Sequence, residues 1–166
     1  MAQRFGLVEG FVAGALAVLT FHQPAVAVLY ALGLFPVAAF DLSPKPSGLP
    51  SLVQAMLWSG GWAVLLLLIL RLPALRRVPV TPAAILYCAV VPVAFLFLVL
   101  APSEGFPIAY GMPMSAALRV VLVHALWGFG IALWLHGLRG MLGGSALRRD
   151  PAIDVDHLAG DVTRPR

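Results

Sequence analysis

Few side chains in this protein could do chemistry, and most of those that could are embedded in apolar runs. His22 and His124 each lie near the middle of such a run, with Thr20 and Gln23 beside the first and Gln54 in another. Polar groups in hydrocarbon are costly, so they are expected to face a bundle interior or a cavity. Thr20, His22, Gln23, Gln54 and His124 are therefore the candidate intramembrane polar site. Three chemistries suit the histidines. Each could hydrogen-bond a neighbouring helix and fix packing. Together they could line a polar pocket for a substrate, a proton or a lipid headgroup. They could also be paired axial ligands of a b-type haem, since a four-helix bundle can hold one.

No enzyme signature accompanies them. The chain has no His-Glu-x-x-His, no Gly-x-Ser-x-Gly, no phosphate loop and no paired membrane aspartates. Asp41 and Glu104 fall in different loops with no supporting constellation. One cysteine, Cys88, excludes an internal disulfide and any multi-cysteine metal site. The expectation is a protein with no catalytic residues, no metal and no resident cofactor.

The elements that carry these residues are set by composition. Apolar residues make up 61% of the 166, charged residues 11%, and the mean hydropathy is +0.95. A soluble domain averages about 25% charged residues, so the solvent this chain suits is a bilayer. A helix needs about 20 apolar residues to cross it. Four stretches qualify, at about 5–34, 49–70, 82–101 and 114–138, which predicts an all-α four-helix transmembrane bundle. Nine basic residues (Arg4, Arg71, Arg76, Arg77, Arg139, Arg148, Arg149, Arg164 and Arg166) fall on one side of these spans, and Lys45 and Arg119 on the other. The positive-inside rule places the nine, and with them both termini, in the cytoplasm. The net charge of +4 is thus an orientation signal and not a nucleic-acid surface. Glu9, near the cytoplasmic boundary, is expected to reach water or to pair with a base such as Arg139. Residues 139–166 carry mixed charges behind Gly143-Gly144-Ser145 and read as a mobile cytoplasmic tail.

The start admits a rival reading. Arg4, the apolar run and Ala25-Val26-Ala27 resemble a cleavable secretory signal. Glu9 interrupts that run and apolar residues continue from Val28 to Leu34, which favours a retained first span.

The spans also echo one another. Leu57-Trp58-Ser59-Gly60-Gly61-Trp62-Ala63 aligns with Leu126-Trp127-Gly128-Phe129-Gly130-Ile131-Ala132, and Phe35-Pro36-Val37-Ala38 with Phe106-Pro107-Ile108-Ala109. Pro24 and Pro92 break the span before each echo. These matches predict two parallel-repeat hairpins. Helices in lipid associate through close packing, so small residues mark contacts. Gly6, Gly10 and Gly14 form one stripe, and Trp58, Gly60, Gly61, Trp127, Gly128 and Gly130 are the expected packing positions of the echo helices.

Leu19-Thr20-Phe21-His22-Gln23, the Pro-rich first loop and Ala125-Leu126-Trp127-Gly128-Phe129-Gly130 together resemble small four-helix inner-membrane proteins of proteobacteria, a group with no known activity. The resemblance covers roughly residues 6–138. In the first loop, residues 42–50 depart from the Pro-Phe-Gly-Pro-like pattern of that group. It implies a bacterial inner-membrane location and no mechanism. The sequence thus points first to a non-enzymatic structural or accessory subunit whose partners are the bilayer and a second copy or a larger membrane complex. Next come a small transporter or ligand-binding protein with its pocket at His22 and His124, and then a haem electron carrier.

Overall fold

A computed structural model describes the backbone of residues 5–147 and the side chains up to Met141. Four long helices dominate: α1 (Leu7–Ala31), α2 (Ser51–Leu70), α3 (Val80–Ser103) and α4 (Met114–Leu147). Each is long and apolar enough to cross a membrane, and no strand occurs among the described residues.

Local chemistry sets their ends. The first apolar run reaches Leu34, but α1 stops at Ala31. Gly33 adopts a left-handed φ of 68°. Its N–H donates to the Tyr30 carbonyl while Leu34 N–H donates to Leu29, closing a Schellman motif. The freed N–H groups at the start of α2 are met by the preceding loop: Ser51 and Leu52 donate to the carbonyls of Ser43 and Asp41. The Ser43 N–H and hydroxyl both donate to the Asp41 carboxylate at 2.8 and 2.7 Å. Those bonds, with a smaller one from Ser51, hold the Asp41 carboxyl below its ordinary range. The fourth helix corrects the expected boundary at Leu138. Its backbone continues through Gly140, Gly143 and Gly144 to Leu147. The remainder of the expected tail, residues 148–166, lies outside the described residues.

α1 packs on both α2 and α4, and α3 packs on α4. α2 meets α3 more thinly, through the rings of Trp58, Trp62 and Phe95. The order around the bundle is therefore α2, α1, α4, α3. Its centre is built from small residues, Ala13, Ala17, Ala63 and Ala84, closed by Trp127, Ile131 and Leu135.

Glycines set how near the backbones come. A Cβ on Gly14 would strike the Ser59 carbonyl, and one on Gly128 would strike the Ala84 carbonyl. Gly10 lies under Leu67, Gly60 under the Phe11 ring and Gly130 under the Phe21 ring. Three expected packing positions do something else. Gly6 approaches no other helix; its N–H donates to the Glu9 carboxylate at 2.8 Å. Glu9 is thereby a cap of α1 and not a partner of Arg139, whose guanidinium lies 5.3 Å from the centre of the Phe5 ring. Gly61 faces open space, because α2 turns Gly60 inward. Trp58 is 54% exposed, whereas its aligned counterpart Trp127 is 2% exposed.

Both proline-containing helices contain a π turn, at Val18–His22 in α1 and Leu96–Leu100 in α3. In α1 the wide turn immediately precedes Pro24, where the ring would otherwise crowd the Thr20 carbonyl.

Gly128→Leu is expected to lower stability in detergent by about 1–3 kcal/mol, the usual cost of forcing bulk into a close contact. Gly137→Leu, at a site where a Cβ meets nothing within 4 Å, serves as the neutral control. Thermal unfolding of both variants checks the difference.

Candidate functional site

The seam between α1 and α4 gathers three of the five candidate polar residues. The π turn is what aims them. One extra residue in a turn swings all that follows by roughly 100°. His22 ends that turn and Thr20 lies within it.

His22 and His124 meet edge to face, with ring centres 5.4 Å apart. His124 Nδ1 lies 2.9 Å from the Val120 carbonyl. A carbonyl only accepts, so the His124 proton resides on Nδ1 and Nε2 keeps a lone pair. His124 also meets Trp127 edge to face, with ring centres 5.9 Å apart. Trp127 in turn donates its indole N–H to the Gly14 carbonyl at 3.4 Å. His22 Nδ1 is buried with no hydrogen-bond partner. Thr20 donates its hydroxyl to the Leu16 carbonyl at 2.8 Å and accepts the Trp134 indole N–H at 2.9 Å.

Gln23 and Gln54 do not join this group. The Gln23 carboxamide oxygen accepts the Phe40 N–H at 2.7 Å and so ties the first loop to α1. That bond supports a Phe40 held at a left-handed φ of 54°. Gln54 faces away, along a groove on α2 with Ser47, Leu57 and Trp58.

Sequence reasoning passed over three polar groups here. Trp134 reaches Thr20 because side chains lean toward a helix N-terminus, and α1 and α4 run in opposite directions. Tyr87 Oη and Arg119 Nε are buried without partners. Tyr87 lies inside a recognised span, and its hydroxyl was the signal that could have flagged it. At the same end of the bundle as the first loop, the Tyr110 hydroxyl donates to Glu104 at 2.9 Å. Burial, helped by that bond, raises its ionisation above the usual range.

These residues do not fit a haem. Two axial histidines must leave the thickness of a macrocycle between them, and these rings touch. No group of three or more His, Cys, Asp or Glu among the described residues could hold a metal ion. The arrangement suits hydrogen bonding of a neutral guest or of the helices themselves.

No protein-family model, curated protein or solved structure matches the chain.

A double-mutant cycle of Thr20→Val and Trp134→Phe should give a coupling near 0.6 kcal/mol, the average for intramembrane hydrogen bonds, with roughly 1.7 as the ceiling. Unfolding of the four proteins in one detergent measures it.

Proposed function

We propose that this chain is a non-enzymatic, multi-pass protein of the bacterial inner membrane that serves as a structural or accessory subunit. The carrying observation is how its intramembrane polar groups are used. Thr20, Trp127, Trp134 and His124 all hydrogen-bond within α1 and α4 or across their seam. Most of the polarity in the seam is thus committed to holding the helices, as a rigid scaffold requires. In digitonin and in maltoside the protein should migrate in an assembly with a second copy or another membrane protein. A bare monomer in both detergents would count decisively against this reading.

A second reading rests on one nitrogen. Buried polar atoms ordinarily have partners, and His22 Nδ1 has none. A small transporter or ligand-binding protein would use it, with the lone pair of His124, to hold a polar guest. A bound small molecule in the purified assembly, lost in His22→Phe, would favour that function over scaffolding.

The basic-residue asymmetry supports an N-in, C-in topology. Reporter fusions after Met141 and after Ala74 should report the cytoplasm, and one after Gly111 the opposite side.

Duplication of a two-helix hairpin also has structural support. With Trp58 aligned on Trp127, Ser59 matches Gly128, and each lies at a close approach between the two helices of its hairpin. Ser59 meets Gly14 and Gly128 meets Ala84. The two hairpins therefore cross at matching positions, with the close-approach glycine on the first helix of one and the second helix of the other.

A further inference from the structure

We propose that a groove on the lipid-facing side of α2 binds one glycerophospholipid, with its phosphate and ester region held by Ser47 and Gln54 and an acyl chain lying along Leu57, Trp58 and Gly61. The groove has a volume of about 320 Å³. That is enough for a headgroup and part of a chain. Its lining changes along its length. Ser47 and Gln54 lie at the loop end, and Leu57, Trp58 and Gly61 follow toward mid-span.

The polar end offers donors in search of acceptors. The Gln54 carboxamide makes no hydrogen bond among the described residues; its Oε1, an acceptor, is buried without a partner and takes no part in holding a phosphate, whereas its amide nitrogen is a donor. Both N–H bonds of that amide are therefore uncommitted. The Ser47 oxygen accepts a long 3.4 Å bond from Leu49 N–H, which leaves its own O–H free. Lys45 adds a cation in the same turn, which Lys45 N–H to Leu49 and Gly48 N–H to Lys45 close. A phosphodiester presents acceptors and negative charge to the amide N–H bonds, the Ser47 hydroxyl and the Lys45 ammonium. The apolar end suits a hydrocarbon chain. Leu57 and Trp58 are 46% and 54% exposed, and Gly61 leaves a slot in which a Cβ would meet nothing within 4 Å. A transmembrane helix from a second copy fits less well, because its carbonyls are already bonded within the helix and would leave the donors unmatched.

The test uses the full chain purified from membranes in a mild detergent, with bound lipid counted by native mass spectrometry. Wild type should retain about one phospholipid through delipidation that strips weaker contacts. Gly61→Leu puts bulk into the slot from a Cβ that meets nothing within 4 Å, so it should lose that lipid while keeping wild-type helicity and unfolding temperature. Ser47→Ala with Gln54→Leu should cut occupancy roughly fivefold or more, the equivalent of a lost hydrogen bond. The proposal fails if wild type carries no such lipid, or if both variants retain as much as wild type. It fails equally if Gly61→Leu abolishes a homodimer and leaves the lipid in place, since the occupant would then be a second copy.

Discussion

Close approach of backbones is the constraint on which this bundle depends. Lipid tails are as apolar as leucine, so burying side chains against each other gains little for membrane helices. What remains is dispersion between surfaces that fit, and dispersion falls off over fractions of an ångström. Gly14 at Ser59 and Gly128 at Ala84 are where the fit is tightest. They set the α1–α2 and α3–α4 contacts, and on the α1–α4 seam the corresponding glycine is Gly130, under the Phe21 ring. On the same seam the Gly14 carbonyl accepts the Trp127 indole N–H, and that ring meets His124. The site is thus a by-product of the packing: the rings meet because the backbones that carry them already do.

Much of this was legible in the residues. Hydropathy alone located four helices, because membrane spans must satisfy their backbone groups internally and so read as long apolar runs. Equal depth brought His22 and His124 to the same level, and the structure places their rings in contact. The glycine stripe at Gly10 and Gly14 was visible because spacing of four puts residues on one helix face. What stayed hidden is what depends on rotation about an axis. Gly60 and Gly61 differ by about 100° on α2, and an apolar sequence has no polar face to say which points inward. The π turns were hidden for a related reason. They insert a residue into the count without changing composition, so Gln23, just past the α1 turn, could be placed in the right span but not on the right face; Gln54, on α2 with no such turn, was hidden by the apolar sequence alone. The extension of α4 past Gly140 was masked by glycines and charges that ordinarily end a helix.

The polar groups divide by whether a donor and an acceptor arrived together. Thr20 is both, so it serves the Leu16 carbonyl and Trp134 at once. A tryptophan brings only a donor, and each of the two on the seam found an oxygen. His22 brings one of each but faces the edge of another ring, and its Nδ1 is left over. Such a remainder is a cost in any apolar interior, about 1–3 kcal/mol for an unsatisfied group. A scaffold can carry one such cost. A binding protein would have reason to keep it.

The hairpins, taken as copies, show how one sequence pattern is put to two uses. The two hairpins do not bury equivalent faces. α1 and α4 meet along a broad seam, while α2 and α3 touch through a ring cluster. The aligned tryptophans record that difference. Trp127 took the interior and its N–H took a carbonyl. Trp58 stayed on the exposed side, stacked on Trp62. Nothing in the packing requires Gly61 to be small, since its neighbour Gly60 makes the contact. A glycine in an exposed helix interior costs about 1 kcal/mol relative to alanine. Its presence beside an exposed tryptophan is therefore unexplained by the fold, and the α2 face it opens is the place where this bundle has room for something that is not itself.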